Sequence, residues 1–169
     1  MTLIYVCPLR RVEQTVAESG ADCLVSLLSP THEPPRLASI PAERHLRLGL
    51  SDIVAPCEGQ VLAQAAHVES LIGFFRRWDR ARPLLVHCFA GVSRSPAAAF
   101  IGLCALTPAP EIEIARKLRQ LSPSATPNPH LVALADAILS RQGRMIAAIE
   151  SIGRGADCFE GELFCMETA

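Results

Sequence analysis

The stretch PLLVHCFAGVSRSPAAAFIGLCAL (83–106) constrains the fold of this chain more than any other. Its first part, PLLVHC (83–88), is an apolar run of strand length. From Ser95 a run of apolar helix formers begins, and Pro96 suits the first position of a helix, where no backbone N–H is needed. A buried strand that turns within a few residues into a helix is half of a β-α-β unit. Such units build α/β layer folds around a central, mostly parallel sheet flanked by helices.

The rest of the chain keeps the same alternation. LIYVC (3–7) and DCLVSLL (22–28) read as buried strands, and RVEQTVAESG between them as a helix ended by Gly20. The prolines of SPTHEPP (29–35) forbid regular structure. HLRLGL (45–50) alternates with period two, which predicts a half-exposed strand followed by the loop SDIVAPCEG (51–59). From Gln60 to Trp78, Val61, Ala65, Val68, Ile72 and Phe75 fall three and four apart on one helical face. Arg76, Arg77, Arg80 and Arg82 at its end read as a solvated C-terminal turn, where cations suit the helix dipole. Helices over 111–121, 130–140 and 145–152 follow, with SPSATPNP (122–129) as a break. No repeat and no second domain is visible. One domain is expected over residues 1–156, with a loosely held C-terminal tail over 157–169.

Composition narrows the function classes. The chain has 169 residues, 50% hydrophobic and 20% charged, which suits one globular domain with a sizeable core. A formal net charge of -1 gives no basic field for nucleic acid or membrane lipid, so any anion site must be local. The seven cysteines are odd in number and form no CxxC pair, which points away from a disulfide framework and from a structural zinc site. A reducing, cytoplasmic setting is expected. MTLIYVCPLRR lacks the order of a signal peptide, and the longest apolar run, Ala97–Leu106, is too short to span a bilayer as a helix. No cofactor or metal is implied, and the sequence sets no oligomeric state.

Chemistry concentrates in HCFAGVSRSP (87–96). Ligands in open α/β sheets bind beyond the carboxyl ends of strands. There a curved run of loop amides and a helix start form an anion cradle. The amides of Phe89, Ala90, Gly91, Val92, Ser93 and Arg94 are the candidates to surround one tetrahedral oxyanion, with Gly91 supplying the bend. The same positive end favours a thiolate at Cys88, the candidate nucleophile. Arg94 offers a planar fork that matches two phosphate oxygens. Ser95 is placed to donate to the Cys88 sulfur, Ser93 to hold the loop's shape, and His87 to buttress the backbone. The reaction this suggests is attack on a phosphoryl group through a thiophosphate intermediate.

HCFAGVSRS resembles the H-C-x5-R-S signature of the cysteine-dependent protein tyrosine phosphatases, and within it the HCxAGxSRS form of the dual-specificity branch. The resemblance implies a fold of the phosphotyrosine protein phosphatase II type and metal-free hydrolysis of phosphomonoesters. Its substrates would be phosphorylated proteins, at tyrosine, serine or threonine, or small phosphomonoesters. It also implies an aspartate on an upstream loop that protonates the leaving oxygen. Asp52 fits, 36 residues before Cys88 in SDIVAPCEG. Glu58, Asp79 and Asp22 are weaker candidates. TPNPHL (126–131) resembles the segment that opens the last family helix, with Asn128 as its cap. The loop has no lysine of the kind found in many phosphoinositide phosphatases, and the only tyrosine is Tyr5. His32, His45, His67 and His130 have no ligand spacing and read as structural or surface residues.

Two other readings use the same loop. One is a different thiol enzyme, rhodanese-like or arsenate-reductase-like. The other is a module that binds phosphorylated partners without turnover. A reactive thiol also raises redox control, with Cys57 or Cys104 as the resolving cysteine.

Overall fold

The computed structural model describes residues 1–168; Ala169, the end of the expected tail, lies outside them. Five strands form one sheet: β1 (Leu3–Pro8), β2 (Cys23–Leu28), β3 (His45–Gly49), β4 (Leu84–Cys88) and β5 (Phe164–Glu167). Six helices accompany them: α1 (Val12–Ser19), α2 (Ala65–Arg77), α3 (Arg94–Leu106), α4 (Glu111–Leu121), α5 (Pro129–Ile138) and α6 (Arg144–Ile152). The strand order is β3-β2-β4-β1-β5. The first four are parallel and β5 alone is antiparallel, against β1. The expected α/β fold with a mostly parallel sheet is the observed one.

Side-chain alternation along each strand divides the core in two. Ile4, Val6, Val25, Leu27, Leu84 and Val86 face a layer of helices α2 to α6. Cys7, Leu24 and Leu85 face the other way, against Val12 and Val16 of α1 and Ile40 of the β2–β3 connector. A strand covered on both faces buries every side chain, and LLVHC is buried at all five positions, with His87 the one polar residue among them. This central strand lies between β1 and β2, and its carboxyl end delivers Cys88.

Several boundaries differ from the sequence reading. Helix α2 starts at Ala65, not Gln60, because residues 51–61 close into a loop of their own. The Ser51 amide donates to the Val61 carbonyl at 2.8 Å, and the Val61 amide to Ser51 Oγ at 3.1 Å. Gln64 then caps α2 by donating its amide to His67 Nδ1 at 3.0 Å. Helix α3 opens at Arg94, so Pro96 is its third residue rather than its first. The third N–H of a helix has no intrahelical acceptor either, so proline costs nothing there.

The largest correction concerns the tail. Residues 157–159 are exposed, but the chain beyond them is docked. Phe164 and Met166 are buried, and Thr168 exchanges backbone and side-chain hydrogen bonds with Thr2. The domain therefore runs past residue 156 and includes the last strand. FCME is short and carries no periodic signature, so only its pairing with β1 defines it.

Candidate active site

The loop from Cys88 to Arg94 is held open by what its carbonyls do. Leu9 N–H donates to the Phe89 carbonyl at 3.1 Å, Gly161 N–H to Ala90 at 2.8 Å, Thr126 N–H to Val92 at 2.7 Å, and Asn128 N–H to Ser93 at 3.2 Å. Four carbonyls are thus committed outward, to three different parts of the chain. A peptide unit is planar and trans, so its N–H points opposite to its C=O. The amides therefore face inward over the thiol, where Gly91 N–H already donates to Cys88 Sγ at 3.2 Å. Gly91 has φ +72°, and a Cβ there would lie 2.8 Å from the Pro8 nitrogen. Only glycine fits between this turn and β1.

Ser95 Oγ lies 3.1 Å from Cys88 Sγ, at the N-terminal end of α3. Arg94 is only 6% exposed. One of its terminal nitrogens donates to the Leu50 carbonyl at 3.0 Å, and among the described residues its Nε has no partner. A buried guanidinium N–H without an acceptor is costly. An oxyanion bound by the loop is an acceptor that would satisfy it.

Asp52 is brought to the same loop. Its Oδ1 accepts from Ser93 Oγ at 2.8 Å and from Asn128 Nδ2 at 2.9 Å. Oδ2 takes no donor among the described residues. Asn128 meanwhile caps α5, its Oδ1 accepting from the amides of His130 and Leu131 at 3.0 and 3.1 Å. The expected cap is present, and the same side chain also fixes the carboxylate. The other acid candidates are elsewhere. Asp22 and Asp79 pair with Arg44 at the amino ends of the strands, away from Cys88, and Glu58 is exposed in its loop.

The rim is aromatic. Phe89 is 53% exposed, and the ring of His32, from SPTHEPP, meets it edge-on at 5.2 Å. On the other side, Gly161 sits so close that a Cβ would lie 2.7 Å from the Gly91 carbonyl. The neighbouring Glu160 forms an ion pair with Arg10. This docking of the tail against the loop that follows Cys88 was not visible in the sequence, because EGE carries no pattern that marks it.

Of the two cysteines weighed as resolving partners, Cys104 lies far along α3 from the loop. Cys104 is ten residues along α3 from Arg94, about 15 Å at 1.5 Å per residue. Burial pushes its thiol up to about 12. Cys57 is exposed, with the Gln60 amide against its sulfur. His87 does buttress the loop, with Nδ1 3.3 Å from the Cys88 carbonyl. Sequence reasoning missed its partners: Ser26 Oγ bridges His87 Nε2 at 2.6 Å and His45 Nε2 at 2.8 Å.

No protein-family model matches this sequence, and no curated protein matches it either. Solved structures do match its shape. Human DUSP28 superposes with a TM-score of 0.65 at 21% identity, over 82% of this chain and 94% of that one. DUSP15 gives 0.63 at 17% identity, over 88% and 90%. The human tyrosine phosphatase-like serine/threonine/tyrosine-interacting protein gives 0.65 at 14% identity, over 82% and 92%. The fold is that of the dual-specificity phosphatases, and it is shared by a protein named for interaction as well as by those named as phosphatases.

Proposed function

We propose that this chain is a phosphatase: a metal-independent phosphomonoester hydrolase acting through a cysteinyl-phosphate intermediate. Phosphotyrosine, phosphoserine or phosphothreonine in proteins is its substrate class. The observation that carries this reading is the arrangement at Cys88. Its sulfur lies under inward-facing amides, beside a buried arginine with an unpaired Nε, in a loop joined through Ser93 to a carboxylate.

The chemistry follows from those positions. Arg94 and the loop amides hold three equatorial oxygens and match the charge that grows on them. Cys88 Sγ attacks phosphorus as the P–O bond to the leaving group breaks. Asp52 gives its proton to the departing oxygen, which matters most for a poor leaving group. Water then attacks phosphorus, Asp52 takes its proton, and the P–S bond breaks. Ser95 donates to the departing thiolate and eases that second step. The exposed Phe89 ring at the rim suits an aryl phosphate entering the cradle.

The test is hydrolysis of a small aryl phosphate by wild type, Cys88→Ser and Asp52→Ala, with chelator and reductant present. Turnover that survives the chelator and disappears in Cys88→Ser is expected. Asp52→Ala should retain much of its rate on a good leaving group and lose about 100-fold on a poor one. A wild type that binds vanadate but hydrolyses nothing would replace this reading with a binding module.

A further inference from the structure

Behind the phosphate loop, a second set of polar groups lies inside the sheet. His87 on β4 is fully buried, Ser26 beside it on β2 is buried, and His45 at the start of β3 is half-buried. Four contacts join them into one line. Arg47 Nε is 3.4 Å from His45 Nδ1, and His45 Nε2 is 2.8 Å from Ser26 Oγ. Ser26 Oγ is 2.6 Å from His87 Nε2, and His87 Nδ1 is 3.3 Å from the Cys88 carbonyl.

The direction of every bond in this line is fixed by its ends. A carbonyl oxygen only accepts, so His87 Nδ1 carries the hydrogen. A neutral imidazole has one N–H, so His87 Nε2 must accept, and the single O–H of Ser26 is spent on it. Ser26 Oγ in turn accepts from His45 Nε2–H. His45 Nδ1 is then bare, and it faces a guanidinium, which only donates. The two ends each permit one direction, and they agree. Both rings are neutral at pH 7, because burial holds each down to about 4, and the charges of Arg47 near His45 and Arg94 near His87 act in the same sense.

We infer that Ser26 and His45 are positioning residues for the nucleophile loop. A one-directional hydrogen-bond chain from Arg47 fixes His87 as its Nδ1–H tautomer, and that hydrogen holds the Cys88 carbonyl back toward the sheet. The consequence lies in the next peptide unit. With the carbonyl of Cys88 held back, the trans amide of Phe89 is turned forward, into the cradle. The chain thereby orients the first amide of the anion site and the backbone from which the thiol projects. Its effect on turnover rests on the phosphatase reading; the tautomers and the effect on anion binding do not.

The experiment is imidazole NMR of the full chain labelled with 15N-histidine at pH 7, with signals assigned by single histidine substitutions. Vanadate affinity and aryl-phosphate turnover are measured alongside for wild type, Ser26→Ala and Ser26→Thr. His87 is expected as the Nδ1–H tautomer and His45 as the Nε2–H tautomer. Ser26→Ala should lose the His87 pattern and weaken vanadate binding about tenfold, the scale of one lost hydrogen bond. Ser26→Thr, which keeps the hydroxyl, should restore most of both. A wild-type His87 protonated on Nε2 overturns the proposal whatever the activity. So does a Ser26→Ala protein with unchanged tautomers and unchanged vanadate affinity. If Ser26→Ala does not fold, the wild-type tautomers and the Ser26→Thr comparison decide. A wild type with the expected tautomers and vanadate binding but no turnover would instead sink the phosphatase reading and leave this one standing.

Discussion

Asn128 does two jobs with one amide side chain. Its oxygen caps α5, and its nitrogen holds the Asp52 carboxylate. Substitution can separate them. Asn128→Ser keeps a capping oxygen and removes the donor to Asp52, so stability should change by only a few tenths of a kcal/mol. Turnover of an alkyl phosphate should nevertheless fall about tenfold while a nitrophenyl phosphate is less affected, because only the poor leaving group needs the placed acid. Asn128→Ala should add a stability loss of about 1 kcal/mol. Urea melts and a leaving-group series check both. Equal losses on good and poor leaving groups would remove Asn128 from the positioning of the acid. At this scale the legible residues were those inside one short loop, Cys88 to Ser95. The partners of Asp52, Ser93 and Asn128, were each named with a smaller role, loop shape and helix cap, because their second contact is with a residue 41 or 76 positions away.

The element with the least obvious purpose is the segment that leads into β5. Its strand pairs with β1, and on the way Gly161 presses its backbone against the loop that follows Cys88, N–H to the Ala90 carbonyl. Both atoms in the tight contact at Gly91 belong to backbone, so neither can move aside. Gly161→Ala should therefore displace the loop, and vanadate affinity should drop about tenfold or more with a smaller loss of stability, about 1–3 kcal/mol. Calorimetry of vanadate binding beside a thermal melt would show it. Binding that stays at the wild-type level would mean the tail merely covers the loop. The main helices and strands were readable because each buries a face with a regular period. A four-residue edge strand carries too few positions for a period, and an extended segment docked by its backbone leaves no side-chain pattern at all.

For the whole molecule, the buried histidines set the acid limit of stability. His87 ionises at about 4 in the folded chain because burial opposes its charge, against 6.5 for an ordinary histidine. Between those values the unfolded chain binds more protons, so stability falls as pH drops through the window and is complete above about 6.5. His87 alone contributes on the order of 3 kcal/mol over that range. His45, partly open to solvent, adds less, since water screens its charge. The urea midpoint should be level from pH 8 to 7 and fall steadily from 6.5 toward 4.5. A midpoint that stays level down to pH 5 would show that neither ring is held neutral.

The amino-acid sequence by itself determined the α/β class and the strand-loop-helix unit, and it placed the candidate thiol, cradle and arginine within one loop. All of these depend on neighbours along the chain, where spacing and hydrophobic period are directly readable. Only the tertiary structure decided which distant polar groups meet. Because β4 lies between β1 and β2, Ser26 comes beside His87, and because β5 returns to β1, Gly161 comes against the loop. A buried polar group needs a partner but not one at any particular separation. The order of strands in the sheet, and not the spacing of residues, chooses that partner.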